Sequence, residues 1–441
     1  MKNPLKQIVT VQKQGKAVGI YSCCSANEYV IRAALKKGKD TGSCVLIEST
    51  ANQCDQYGGY TGMTPADFRS FVYRLAGEMQ FDTSLLFLGG DHLGPLTFAD
   101  RNEEDAMQEA EELIRCYVSA GFTKIHIDTS RRLADDPQDE KLSDEVIARR
   151  GARLAKAAED TFFRIVLKEN PDAVEPVYII GSEVPVPGGQ QGEESGELQI
   201  TSPDDFRKTL HAFEQAFLES GLEHAWKNVI GIVVQPGVEE KDSGCVEYDR
   251  KKAAALCAAL KDCPQIVFEG HSTDYQTKLK LREMVEDGIA ILKVGPGMTF
   301  ALREALYALA YAENELYGYQ SSHFIEVLDD AMAANPGYWK KHYAGSEKEI
   351  MLKRKYSFSD RCRYYLPDTN VIESRKKMMR HLENGVPLNL LSQFMPVQYV
   401  RVREGTLPNR PEDLIIDHIG DAIDEYLYAT RQQELFREVS Q

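Results

Sequence analysis

Short apolar runs rich in Val, Ile, Leu and Phe alternate along the chain with amphipathic segments. The runs are Ala17–Ser25, Cys44–Thr50, Leu85–His92, Lys124–Ser130, Val177–Val184, Val229–Val238, Gln265–Ser272 and Ala290–Gly295. Helical spacing of apolar positions follows each one, over Asn27–Lys37, Thr64–Glu78, Asn102–Ala120, Ser143–Thr161, Ser202–Ser220, Asp249–Leu260, Tyr275–Glu286 and Thr299–Leu316. Strict alternation of strand and helix predicts an α/β fold, a (β/α)8 TIM barrel. An open doubly wound sheet fits less well, because no Gly-x-Gly-x-x-Gly follows the first run.

Two stretches depart from the repeat. After the fifth run comes Pro185-Val186-Pro187-Gly188-Gly189 and then a polar segment to Pro203. A long Gly/Glu/Gln-rich loop leaving the mouth of a barrel has the placing of a lid. Beyond Leu316 the chain is helix-rich to Gln441, with Tyr and Arg clustered between Tyr356 and Tyr365. The expected division is a barrel over residues 1–316 and a helical C-terminal extension over 317–441, packed on the barrel or on a partner subunit. A homo-oligomer is expected.

Charge narrows the partners. The 441 residues carry a net charge of −16, which argues against nucleic acid. An anionic substrate would need local cations or helix N-termini. No apolar run approaches the ~18 residues of a membrane span, and the first residues lack the apolar core of a secretion signal. Nine cysteines without a Cys-x-x-Cys pair suggest reduced thiols and a cytoplasmic protein.

The chemistry gathers where strands end. Leu85–Leu88 runs into Gly89-Gly90-Asp91-His92, an acid and an imidazole side by side. A barrel enzyme builds its site at such ends. Alternation puts Leu46, Glu48 and Thr50 on one strand face, and Lys124, His126 and Asp128 on another. Gly181 pairs with Glu183 in this way, Val233 with Gln235, Glu269 with His271 and Ile291 with Lys293. Charges inside apolar strands are costly unless paired or metal-bound. His92 and His271, with Glu183 third, are candidate ligands for zinc, manganese, cobalt or nickel; singly, each histidine also reads as a hydrogen-bonded structural residue. Asp91 and Asp128 are candidate acid/base groups, or else loop and helix caps. His126 is a candidate proton shuttle. Glu48, Asn52 and Gln53 could bind sugar hydroxyls, although Glu48 could equally form an ion pair with Lys124 or Lys293.

Gly295-Pro296-Gly297-Met298-Thr299 follows the eighth run and opens a helix, while the seventh ends in His271-Ser272-Thr273. Loops after the seventh and eighth strands are the usual phosphate seat of this fold. Ser272, Thr273, Lys293, Gly295, Gly297 and Thr299 are therefore candidate phosphate and substrate contacts. Gly58-Gly59-Tyr60-Thr61-Gly62 is a weaker second candidate. No Gly-x-x-x-x-Gly-Lys-Ser/Thr occurs, so a P-loop kinase has no support.

Several of these motifs together, Val45–Gln53, Gly58–Phe68, Gly89–Pro95, Gly181–Gly189, Val233–Val238, His271–Thr277 and Leu292–Leu306, resemble the GatZ/KbaZ family. The likeness extends into the tail, through Tyr338–Lys341 and Arg361–Tyr365. Members are known as the non-catalytic subunit of tagatose-1,6-bisphosphate aldolase, and some are described as 4-epimerases acting on tagatose 6-phosphate. The family is similar in turn to the metal-dependent class II aldolases. That likeness sets Asp91 and His92 where those enzymes carry a catalytic Asp and a metal His, Glu183 near their acidic residue, and His271 on their last metal His. Gln235 stands where they place another His, which counts against ordinary aldolase activity but not against metal binding, since Glu183 or the Gln235 carbonyl oxygen could complete the ligand shell. The resemblance implies metal-dependent 4-epimerisation of tagatose 6-phosphate and fructose 6-phosphate. Its alternative is a partner that stabilises and activates a class II tagatose-bisphosphate aldolase.

Overall fold

A computed structural model describes residues 1–137, 141–182 and 198–436. Eight parallel strands close into a barrel: Ile20–Cys24, Val45–Thr50, Leu86–Leu93, Lys124–Ile127, Val177–Ile180, Val229–Val234, Val267–Gly270 and Ile289–Val294. Each pairs with its sequence neighbours, and the first pairs with the eighth. Helices run between the strands on the outside, as the alternation predicts. The helix Pro65–Glu78 begins as its sequence suggests. Thr64 and Asp67 form a reciprocal capping box, and Pro65 takes the first turn, where its missing N–H costs nothing.

Strand alternation sorts the core into two apolar shells. Tyr21, Ile47, Leu88, Ile125, Ile180, Phe268 and Leu292 face outward onto the helices. Ile20, Leu46, Val177, Val267 and Ile291 face inward and fill the lower barrel, together with Leu5, Ile8 and Val11 from the N-terminal helical segment. Two residues further along the same inward faces stand Glu48, Glu269 and Lys293, all buried. The polar layer therefore lies directly above an apolar floor.

The extension completes the barrel's outer ring. The helix Pro296–Tyr317 follows the eighth strand but packs on a later helix, Pro411–Thr430. That later helix lies against Glu28–Thr41, Lys278–Glu286 and the first strand, the seat where the eighth barrel helix would be expected. Its Tyr426 hydroxyl donates to the Thr273 carbonyl oxygen at 3.0 Å. Just beyond, Gln432 accepts from the Tyr21 N–H and donates to the Cys44 carbonyl oxygen. Arg303 and Asp360, both buried, join Pro296–Tyr317 to the middle of the extension. A two-stranded antiparallel ribbon, Glu239–Glu240 with Cys245–Val246, follows the sixth strand and was not foreseen by periodicity.

Among the described residues, no helix is long and apolar enough to cross a membrane. All nine cysteines are unpaired.

Candidate active site

Above the apolar floor, buried charges form a continuous network. Lys124 lies 2.7 Å from Glu48 and 2.8 Å from Glu269. Lys293 pairs with the other oxygen of Glu48 and lies 2.9 Å from Asp91. Gly89, opposite both Glu48 and Lys124 in register, makes this possible, since a Cβ there would meet Glu48 Oε1 at 2.6 Å. Burial works against the Lys293 charge, yet Asp91 and Glu48 hold its pKa well above the usual lysine value. Glu48 is buried, pairs with both lysines and is not among the residues that line the cavity above.

The reactive groups stand over this layer. Asp91 faces His126 Nδ1 at 2.9 Å through one oxygen, while the other meets Lys293 and the Cys24 thiol. Burial disfavours its charge, but Lys293 and His92 outweigh that and hold it well below the usual carboxylate range. His126 Nε2 must donate to the Gly181 carbonyl oxygen at 2.9 Å, because a carbonyl only accepts. His92 Nδ1 lies 2.8 Å from Asp128, whose other oxygen accepts from Ser130. This leaves His92 Nε2 on the Asp91 side, 3.9 Å from its carboxylate. His271 Nε2 lies 3.0 Å from Glu269. The three imidazoles cluster with ring centroids 4.8 to 5.3 Å apart.

Backbone strain marks the same spot. His92 and Ser272 adopt φ of +49°, a region that L-residues with side chains seldom occupy. Such conformations persist where the surroundings over-determine them, commonly at functional sites.

The donor set suits a divalent cation. Nitrogen and oxygen atoms of Asp91, His92, His126 and His271 lie within 4.8 Å of one another. His92 is steadied by a carboxylate on its far nitrogen, and Glu269 contacts His271, as is usual for metal-bound histidines. Charge agrees: among the described residues, Glu48, Asp91, Asp128 and Glu269 face only two ammonium groups, Lys124 and Lys293. Burial opposes a charge on His92, but Asp91 and the hydrogen bond with Asp128 hold its pKa up at about 9. A proton thus sits on His92 where a cation would otherwise offset the excess of carboxylates. His271 is held well below the ordinary histidine value by burial and keeps a neutral ring.

A cavity of about 210 Å³ opens over the cluster, room for a small polar molecule. Asp91, His92, His271, Lys293, Asn52, Gln53, Ser272 and Gly295 line it, as the sequence suggests. Other expected residues are directed elsewhere. The Gln235 side-chain oxygen accepts from the Gly237 and Val238 N–H groups, a local turn that draws it from the histidines. Thr273 is buried and donates to the Lys293 carbonyl oxygen. Thr299 is buried within the helix that follows and does not line the cavity. The Gly297 N–H, like that of Gly295, donates to Asp274 Oδ1, at 2.7 and 3.0 Å respectively. Glu183 and most of the expected lid loop lie outside the described residues.

Cys24, Glu240, Asp274, Arg363 and Tyr364, which sequence reasoning did not assign to the site, also line the cavity, as does Tyr60 of the weaker Gly58–Gly62 candidate. Asp274 was within reach, two residues past Ser272. Arg363 and Tyr364 belong to a visible Tyr/Arg cluster, but only the folding of the extension brings them to the mouth.

The chain matches, over residues 5–431, the family described as D-tagatose-1,6-bisphosphate aldolase subunit GatZ/KbaZ-like. It belongs to that family. A crystal structure described as that of a probable tagatose 6 phosphate kinase from Sinorhizobium meliloti 1021 is 41% identical. It superposes with a TM-score of 0.85 over 93% of this chain and all of its own. The YdjI aldolase from Escherichia coli K12 is 11% identical, with a TM-score of 0.41 over 86% of this chain and all of its own. Fructose-bisphosphate aldolase from Campylobacter jejuni is 16% identical, with a TM-score of 0.43 over 87% of this chain and 93% of its own.

Proposed function

We propose that this GatZ/KbaZ-like protein is a sugar-phosphate 4-epimerase, interconverting tagatose 6-phosphate and fructose 6-phosphate by breaking and re-forming the C3–C4 bond. The observation that carries the reading is Asp91: buried, held ionised by Lys293, facing a cavity, and flanked by histidines. A site without chemistry has no need of so many costly buried charges.

The C4 hydrogen of a 2-ketose is not adjacent to the carbonyl, so direct abstraction is hard. Cleavage of C3–C4 avoids it. A divalent cation on His92 and His271, when bound, would polarise the ketose carbonyl oxygen as a Lewis acid. Asp91 takes the O4 proton as the bond breaks and returns it as the bond re-forms. Lys293 keeps Asp91 ionised between these transfers, and His126 Nδ1 lies 2.9 Å from its other oxygen. Asp128 fixes the orientation of His92, which is a more natural role for it than that of the base. The aldehyde half presents its opposite face before bond formation, and the configuration at C4 inverts.

The purified chain with fructose 6-phosphate and added zinc, manganese, cobalt or nickel tests this reading. Tagatose 6-phosphate should appear. Asp91→Asn should lower turnover by about 10²–10⁴-fold while metal content stays near that of the wild type. No conversion with any of these metals overturns the reading.

One observation favours a second reading, a non-catalytic partner of a class II tagatose-bisphosphate aldolase. The extension carries several exposed apolar side chains, among them Met351, Leu352, Tyr356, Leu388, Val397 and Val400. A docking face has this character. A rise in the activity of an added aldolase, with none from the chain alone, would select this reading.

A further inference from the structure

Resting on the sugar-phosphate reading, we propose that Arg363, carried by the C-terminal extension, grips the substrate's phosphate at the rim of the barrel, with Tyr60 and Tyr364 walling that end of the cavity. Four observations lead there.

The backbone seat after the eighth strand is already taken. One oxygen of Asp274 accepts from both Gly295 and Gly297, and that carboxylate stands where a phosphate oxygen would otherwise sit. Arg363 lines the same cavity as Asp91, His92 and Lys293. Its guanidinium has no carboxylate partner among the described residues; it lies 5.0 Å from the face of the Tyr364 ring and 3.4 Å from the Tyr364 hydroxyl. Five donors in a planar fork are thus almost uncommitted, and a phosphate is the group such a fork matches.

A second guanidinium concentrates the charge. Arg361 reaches the same hydroxyl at 3.5 Å, and its buried Nε has no hydrogen-bond partner. Two like charges converging on one phenol, in a chain of net charge −16, form an isolated cationic spot. Burial, then the charges of Arg361, Arg363 and Lys341, push the nearby His342 down to about 4, which agrees with such a potential.

The chemistry has a use for an anchor at this place. Cleavage of C3–C4 in a 6-phosphate leaves the phosphate on the aldehyde half. That half must turn its carbonyl without leaving. A phosphate held by Arg363, at one end of the cavity that Asp91 and His92 also line, gives it a pivot. Tyr364 is fixed for the purpose, stacked on Tyr338 at 4.7 Å and met edge-on by Tyr60 at 4.8 Å.

Calorimetric binding of fructose 6-phosphate and of fructose to the intact metal-loaded chain tests the assignment. Arg363→Gln should weaken fructose 6-phosphate about 10- to 100-fold, the range for a charge-assisted contact, and change fructose less than about twofold, the same arithmetic allowing under half a kilocalorie. Arg363→Lys should lie between. Inorganic phosphate should displace fructose 6-phosphate from the wild type and not from Arg363→Gln. If Arg363→Gln does not fold, the Arg363→Lys ratio and the phosphate competition decide. Equal losses for both sugars, no loss for either, or a wild type that binds fructose as tightly as its phosphate would overturn the proposal. Binding that depends on Arg363 without any turnover refutes the epimerase and leaves the phosphate grip standing. Turnover with binding indifferent to Arg363 does the reverse.

Discussion

Asp128 shows how much one neighbour decides. It holds His92 Nδ1, and so directs Nε2 toward Asp91 and the cavity. Asp128→Asn removes the charge that favours this arrangement. Metal affinity should fall about 10–100-fold with the fold retained, as for other carboxylates behind metal-bound histidines; competition with a chromogenic chelator reads it. The proton on His92 gives a second expectation. A metal takes the neutral ring, so it must displace a proton held up to about pH 9. Apparent affinity should rise with pH and level off above about 9. Affinity flat from pH 6 to 9 would remove His92 from the ligand set. Asp274 is shifted in the opposite direction to Asp91 and Asp128. Burial, then Glu240, raise its pKa to about 7. A carboxyl raised on folding contributes stability below its unfolded value of about 4, and that contribution is lost as pH rises through about 7. Asp274→Asn keeps an oxygen for the two glycine N–H groups and cannot ionise. Its urea midpoint relative to wild type should therefore improve from pH 5 to pH 8.

At the scale of the element, the third strand is built around absent side chains. Gly89 leaves room for Glu48, and a Cβ on Gly94 would lie 1.8 Å from the Asp128 carbonyl oxygen. Gly89→Ala should cost about 1–3 kcal/mol, because a buried ion pair must shift. Gly94→Ala should cost more, since its obstacle is backbone; thermal or urea unfolding ranks the two. The strands themselves were legible because a period of two, bounded by Gly and polar turns, recurs eight times. Faces were legible for the same reason: Glu48, Lys124, His126, Glu269, His271 and Lys293 do point inward. Side-chain partners were not, since alternation sets a direction and not a contact. Gln235 satisfies the face rule and still turns onto its own loop. Asp274 lies outside any strand, where no period applies.

For the whole molecule, the extension closes the barrel and reaches its mouth. Ile415, Ile419 and Ile423 of Pro411–Thr430 are buried in the main core. A chain ending before Pro411 should lose cooperative unfolding and become protease-sensitive throughout, as a barrel missing part of its outer ring would. A truncated chain with wild-type circular dichroism and melting would contradict that seating. Sequence patterning could not foresee this long-range closure, because the helix after the eighth strand has the right period but a different place. The sharpest measurement is conversion of fructose 6-phosphate in D2O by the metal-loaded chain alone, with the tagatose 6-phosphate product examined by NMR. Cleavage and re-formation of C3–C4 carries the C4 hydrogen through on the aldehyde, so the product should hold hydrogen, not deuterium, at C4. Deuterium at C4, or no tagatose 6-phosphate at all, would contradict the account.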